Sequence, residues 1–142
     1  MTINHEEEHI GFLIRQVAHL SHQLFNKSLE KEGITATQEG ILSFLNRHKG
    51  ATQSQLRDYL LVRASSVTKL VEQLEAKSLL TRSSHPDDAR IKLLKLTTKG
   101  QQLQQKLWEI KMSVEAEITV SLSNAEQEAM RKSLQKMRQT LA

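Results

Sequence analysis

The 142-residue sequence predicts a mainly α-helical fold that carries one small β hairpin. Apolar residues recur at steps of three and four along most of the chain, which is the spacing of one buried helix face. Residues 79–82 and 91–96 instead form two strand-like runs that lie close enough in sequence to pair. The length suits a single domain, and the apolar runs are too short to cross a bilayer.

Two helices are predicted in the first third of the chain. The first runs from about residue 7 to residue 31, and Gly33 follows it as a left-handed stop. Its apolar residues, which recur at mixed three- and four-residue steps, are Ile10, Leu13, Val17, Leu20 and Leu24. Thr35 and Gln38 match a capping box, in which each side chain accepts the other residue's backbone N–H, so a second helix starts here. We expect this helix to end near Gly50.

Two shorter helices are predicted in the middle of the chain. Thr52 and Gln55 form another capping box, which starts the first of them. The side chains that it is expected to bury are Leu56, Tyr59 and Leu60. The apolar stripe of the next helix consists of Val67, Leu70, Val71 and Leu74, at i, i+3, i+4 and i+7.

The last third of the chain predicts one long helix and one with heptad spacing. The long helix runs from Thr98 to about Leu122, and Ser123 caps the final helix. The inward positions of the long helix are expected to be Leu103, Leu107, Ile110, Val114 and Ile118. The final helix has a narrow apolar seam formed by Met130, Leu134, Met137 and Leu141.

That apolar seam must be buried against another apolar surface to be stable in water. The central helices already form the core of this small chain, so a surface of another subunit is the expected place. We therefore predict one domain over residues 1–142, with dimerisation helices at about 1–34 and 98–142 flanking a central unit at about 35–97. The alternative is that the seam packs only within its own chain.

Positive charge is concentrated in one segment. Residues 63–99 carry a net charge of +4, whereas residues 1–62 carry −1 and residues 100–142 carry +1. A polyanion would be attracted to that segment, with an affinity that falls as salt rises. The absence of cysteine excludes disulfides, thiolate metal sites and thiol redox sensing. The N-terminus does not resemble a secretory signal, so we expect a cytoplasmic protein by elimination.

Helix, turn, helix and basic hairpin follow one another in the central unit, which is the order of a winged helix-turn-helix that binds duplex DNA. Short polar side chains on the second helix suit the major groove. Arg90, beside the hairpin turn, is expected to reach a minor groove, with Asp88 holding its guanidinium. The predicted DNA-binding residues are Gln53, Ser54, Arg63, Ser65, Ser66, Thr68, Lys69, Asp88, Arg90 and Lys92.

The hairpin region also resembles a known family. Asp88-Ala89-Arg90, followed by Leu96-Thr97-Thr98-Lys99-Gly100, is similar to the Asp-x-Arg and Leu-Thr-x-x-Gly signature of MarR family winged helix-turn-helix repressors. The resemblance implies a homodimer on a palindromic operator, released when a small aromatic or phenolic effector binds between the dimerisation and DNA-binding parts. Two positions depart from the family pattern. Ser78 stands where a glycine is usual, and Arg63 stands where a Ser or Asp cap is ordinary.

Candidate effector contacts are Arg15, His19 and Trp108, which combine charge or hydrogen bonding with apolar bulk. No cofactor is expected. An enzyme is rejected, because Ser83, His85 and Asp87 are too close in sequence to assume triad geometry.

Two other functions remain open at this point. His5 with His9, and His19 with His22, are spaced to share a helix face, as a metal-responsive regulator would need. A winged helix can also act as a protein-docking module that binds no DNA. Strong salt dependence of binding would favour DNA over such a module.

Overall fold

A computed structural model describes residues 5–142 as six helices and one two-stranded antiparallel sheet, which confirms the predicted fold class. The first four residues of the predicted N-terminal segment lie outside the described residues. The helices are α1 (Ile10–Leu29), α2 (Ala36–Arg47), α3 (Gln53–Leu60), α4 (Ala64–Ala76), α5 (Thr98–Ile118) and α6 (Asn124–Leu141). The strands are β1 (Leu80–His85) and β2 (Asp88–Leu96), and short 3-10 turns span Glu6–Glu8 and Glu30–Glu32. Each helix in this range is too short or too polar to span a bilayer.

Local capping signals in the sequence correctly predicted where several helices start. Complete capping boxes precede α2, α3 and α6, with Thr35, Thr52 and Ser123 as the capping residues. Gly33 has the predicted left-handed conformation, with φ of 66°. Helix ends were predicted less well, because α2 stops at Arg47 and α5 at Ile118, each before the predicted residue.

The core lies where the C-terminal end of α1, α2, α3, α4, the hairpin and α5 meet. Its fully buried side chains include Leu29, Ile41, Leu42, Leu56, Val67, Val71, Leu74, Leu80, Leu94 and Leu107. Burying each apolar side chain of this size contributes roughly 1.5–3 kcal/mol. The core therefore fixes the relative positions of the two central helices and the hairpin.

Two residues predicted to face inward, Tyr59 and Ile118, do not. Tyr59 is 48% exposed, because its ring stacks on Phe44 at the surface and its hydroxyl accepts a hydrogen bond from Arg47. Ile118, at the end of α5, is also exposed in the single chain.

The hairpin is longer than predicted. Residues 83–90 were expected to connect the strands, but only Pro86 and Asp87 form the turn. The serines and histidine that follow Arg82 have weak strand propensity, yet they pair with β2 across the hairpin. The backbone N–H of Leu94 also donates to the Ala51 carbonyl at 2.8 Å. This bond ties the β1–β2 hairpin, which is the wing of the fold, to the start of α3.

The Leu-Thr-x-x-Gly residues form the joint between the wing and α5. The Thr97 hydroxyl donates to the Ser78 carbonyl at 2.6 Å and accepts the Gly100 backbone N–H at 3.0 Å. A Cβ atom on Gly100 would lie 2.0 Å from the Leu79 carbonyl oxygen, so only glycine fits. Ser78, which stands where the family usually has glycine, has φ of 61°, a left-handed conformation that glycine adopts more easily.

Candidate nucleic-acid interface

The start of α3, one side of α4 and the outer part of β2 enclose a cleft of about 360 Å³. Five of the predicted DNA-binding residues line it: Gln53, Ser54, Thr68, Arg90 and Lys92. The fold thus brings together residues from both helices and the wing that lie up to 39 positions apart in sequence.

Gln53 and Thr68 hold the two helices at a fixed angle. The Gln53 side-chain N–H donates to the Thr68 hydroxyl at 3.0 Å, and that hydroxyl donates in turn to the Ala64 carbonyl at 3.2 Å. Gln53 Oε1 is buried and has no hydrogen-bond partner among the described residues. These contacts give both side chains a structural role besides the predicted one at DNA.

The first turns of α4 present the remaining predicted contacts to solvent. Arg63, Ser65, Ser66 and Lys69 are all exposed. Arg63 occupies the N-cap position and makes no side-chain cap hydrogen bond, as its residue type predicts. The first backbone N–H groups of α4 are therefore left to solvent or to an anion such as phosphate.

The wing tip holds a preformed Asp88–Arg90 pair. Arg90 Nε donates to Asp88 Oδ1 and the Arg90 NH2 group to Oδ2, each at 3.1 Å, and the Arg90 backbone N–H donates to Oδ1 at 3.0 Å. The Arg90 side chain nevertheless remains 91% exposed. Both carboxylate oxygens therefore aim the guanidinium without burying it.

The same hydrogen bonds set the protonation of the pair. Those from the Arg90 side chain, and next from its backbone N–H, hold the pKa of the Asp88 carboxyl below its ordinary value. The side-chain bond to Asp88 also raises the pKa of Arg90. Both shifts favour the charged forms, so the pair stays ionised at neutral pH.

A register shift in the hairpin brings Arg90 to the tip. Ser84 lies opposite Lys92, whereas the next residue, His85, lies opposite Asp88. Residues 89–91 consequently bulge out of the ladder, and bulges of this kind re-aim side chains. Lys92 Nζ donates to the Ser84 hydroxyl at 3.1 Å, which braces the base of the bulge.

Sequence reasoning missed Arg57. It lines the cleft beside Arg90 and Lys92, and its side chain is 42% exposed although it lies 3.3 Å from Asp58. Arg57 lies four residues after Gln53, so the two share a face of α3. That spacing was the signal available in the sequence.

Arg15, His19 and Trp108 line none of the four clefts that we describe within residues 5–142. Arg15 and His19 lie exposed on α1, and Trp108 is 49% exposed on α5. A cleft at α1 and α5, lined by Ser28, Glu109 and four other residues, contains none of the three. Within residues 5–142, no three His, Asp or Glu side chains converge as a metal site would require.

Comparison with known proteins decides the family. A model described as MarR family matches residues 32–91, which run from the turn before α2 into β2. A putative transcriptional regulatory protein for the hcr operon of Thauera aromatica is 30% identical over 118 residues, covering 82% of this chain and 71% of that protein. The chain belongs to the MarR family.

Other MarR family likenesses agree. The transcriptional regulator MhqR of Bacillus subtilis is 33% identical over 75 residues, or 53% of this chain, and the match spans about half of MhqR (52%). The crystal structure of an S. aureus MepR–DNA complex matches with a TM-score of 0.86 and 30% identity, covering 93% of this chain and 98% of that one. We conclude that this protein is a MarR family transcriptional regulator. The conclusion rests on the winged helix, the helices on either side of it and the family assignment.

Proposed function

We propose that this MarR family chain is a homodimeric repressor that binds a palindromic operator. One α4 helix of each subunit lies in a major groove, and each β1–β2 wing contacts a flanking minor groove. The half-sites then lie about 34–36 Å apart, one helical turn of DNA. A small aromatic or phenolic effector releases the operator. MepR, which was crystallised on DNA, supplies the structural precedent for the DNA-bound form.

The observation that carries this proposal is the exposed, preformed Arg90 at the wing tip. Two side-chain hydrogen bonds to Asp88 hold its guanidinium in an exposed position. Arg90 lines the same cleft as Lys92 and the start of α3. Because the pair exists without DNA, binding loses little side-chain freedom at this residue. A narrow minor groove attracts a guanidinium through its enhanced negative potential.

Dimer formation is supported by the uncovered apolar faces of α1 and α6. Ile10, Leu13 and Val17 on α1 are 66%, 45% and 54% exposed, and Met130 and Leu134 on α6 are 51% and 44% exposed. They line one continuous apolar groove of about 650 Å³. A second copy would cover this groove, and the dimer would hold its two α4 helices at a set distance.

Replacement of Arg90 by alanine tests the proposal. Because a well-placed arginine contact contributes roughly 1–3 kcal/mol, we expect Arg90→Ala to weaken operator binding about tenfold or more in a mobility-shift titration. The slope of affinity against salt should also become shallower. The matched control is Arg131→Ala on α6, since Arg131 is also exposed and paired with a carboxylate, that of Glu128.

Equal affinities of the two variants for the operator would contradict the wing assignment. Salt-independent binding of the wild-type chain would contradict DNA as the partner and favour a protein-docking module. Dimer formation is measured alongside by sedimentation, so that a loss of pairing is not mistaken for a loss of contact.

A further inference from the structure

The cleft between the start of α3, α4 and the wing is lined by three cations. Arg57 comes from α3, whereas Arg90 and Lys92 come from β2. Within residues 5–142, the side chains that line this cleft include no carboxylate. The helix side and the wing side of the cleft therefore both contribute positive charge, and an anion is attracted into it.

Arg57 is weakly held by its own carboxylate partner. Its Nε and NH2 groups both donate to a single oxygen, Oδ1 of Asp58, at 3.4 and 3.3 Å. Neighbouring residues on a helix do not face each other, and the two side chains are 42% and 74% exposed, so the pair contributes little stability. A phosphate group can accept from both sides of the guanidinium fork, and it is therefore a stronger partner for Arg57 than Asp58.

The helix that carries Arg57 is fixed against α4. Gln53, one turn before Arg57 on the same face, donates a side-chain hydrogen bond to Thr68 of α4 at 3.0 Å. Leu56, the residue before Arg57, is fully buried in the core. The backbone of Arg57 consequently keeps a set position relative to α4, and only its side chain has to move to exchange partners.

A duplex bound as proposed passes one of its backbone strands beside this cleft. The major groove and the adjacent minor groove of a duplex are separated by a strand of phosphates. When α4 lies in the major groove and Arg90 in the flanking minor groove, that strand has to cross between them. The cleft is lined by Ala64 and Thr68 of α4 and by Arg90 of the wing, so it lies where the strand crosses.

We propose that Arg57 binds a backbone phosphate of DNA between α4 and the wing, and that it gives up Asp58 to do so. The placement of the duplex in this inference rests on the proposed function. Phosphate contacts position a protein on DNA but carry no sequence information, so Arg57 raises the affinity for every sequence equally. Asp58 lowers that affinity, because it competes for the same guanidinium.

Anisotropy titrations of the full-length protein test the contact, with a palindromic duplex from the gene's own upstream region and a scrambled duplex of equal length. Arg57→Ala should weaken binding to both duplexes by the same factor, about tenfold. The slope of log affinity against log salt should become shallower by about 0.9 for each Arg57 lost. Arg57→Lys keeps the charge and should keep the slope.

The carboxylate partner gives a change of opposite sign. Asp58→Asn should strengthen binding to both duplexes about threefold, since it removes the competing acceptor. The matched controls are Arg131→Ala and Glu128→Gln on α6, an exposed pair that lines none of the clefts described above and should leave both affinities near the wild-type values.

Uncharged methylphosphonates locate the phosphate. Each phosphate of a half-site is replaced in turn, and each duplex is titrated with the wild-type protein and with Arg57→Ala. We expect one position in each half-site at which the replacement weakens the wild type but leaves Arg57→Ala unchanged, because the two changes remove the same contact.

Several results would overturn the Arg57 contact: equal affinities of Arg57→Ala and Arg131→Ala, a loss confined to the palindromic duplex, or no methylphosphonate position that distinguishes the two proteins. The two duplexes separate this inference from the proposed function. Equal wild-type affinity for both duplexes contradicts a sequence-specific regulator, and the Arg57 contact is then still decided on either one. Preference for the palindrome without an Arg57→Ala effect leaves the function and removes the contact. Binding to neither duplex overturns both.

Discussion

Gly100 shows how a single residue of the Leu-Thr-x-x-Gly motif holds the wing against α5. It lies in the first turn of α5, directly against the backbone of Leu79, and its N–H caps onto Thr97. Any side chain at this position would meet the Leu79 carbonyl oxygen, which the Thr97 backbone N–H holds in place through a 3.1 Å hydrogen bond. The motif is therefore explained by packing at the joint rather than by contact with DNA.

Gly100→Ala is expected to destabilise the fold. Its Cβ would have to displace the Leu79 backbone, and overpacking of this kind costs roughly 1–3 kcal/mol. The matched control is Gly40→Ala inside α2, where an added Cβ meets nothing within 4 Å. That change should stabilise the protein by about 0.5–1 kcal/mol, because alanine favours a helix interior. Denaturant unfolding measures both, and effects of the same sign would refute this account of the joint.

Individual residues differ in how far the sequence predicts them. The left-handed Ser78 was predictable, because the residue stands where glycine is usual between the recognition helix and the wing. Leu61 has the same conformation, with φ of 56°, and is 89% exposed, yet no local pattern marked it. Its strain is imposed by the tight turn between α3 and α4, which only the packed helices define.

At the scale of elements, a buried ion pair links the winged helix to α5. Glu39 on α2 is 1% exposed, and its carboxylate lies 3.3 Å from Lys111 Nζ on α5. The partner lysine remains partly exposed, with 34% of its side chain accessible. A buried carboxylate whose lysine partner is removed keeps its desolvation cost without compensation.

Lys111→Met should therefore destabilise the protein by about 3 kcal/mol, the lower end of the range for broken buried pairs. Adding Glu39→Gln should restore much of that loss, because it removes the uncompensated charge. Lys106→Met breaks the more exposed Glu32 pair on the same helix and should cost less than about 1 kcal/mol. Equal losses in the two single variants, measured by urea unfolding, would show that burial of Glu39 does not matter.

Helices were easier to predict than the wing. Each capping box gives a start through local hydrogen bonds, so Thr35, Thr52 and Ser123 marked their helices correctly. The strands extend through residues of weak strand propensity because the partner strand and the Ala51 contact stabilise them. Such pairing is non-local, and the order of residues within β1 does not reveal it.

At the scale of the whole molecule, the sequence predicted apolar faces but not clefts. The apolar residues at three- and four-residue steps on α1 and at heptad steps on α6 line the groove that the single chain leaves uncovered. The prediction of Arg15, His19 and Trp108 as effector contacts rested on residue type alone, which does not specify a cleft. The cleft lined by Lys77, Lys99 and Lys106 instead depends on residues of separate elements meeting, which only the folded chain specifies.

Sedimentation velocity of the protein with labelled duplexes is the measurement that tests the central claim most directly. The duplexes are palindromic sites from the gene's own upstream region and scrambled versions of equal length. We expect two chains per palindromic duplex, weaker binding to the scrambled duplex, and an affinity that falls steeply as salt rises. One chain per duplex, or equal affinity for palindromic and scrambled sites, would contradict a dimeric, sequence-specific regulator.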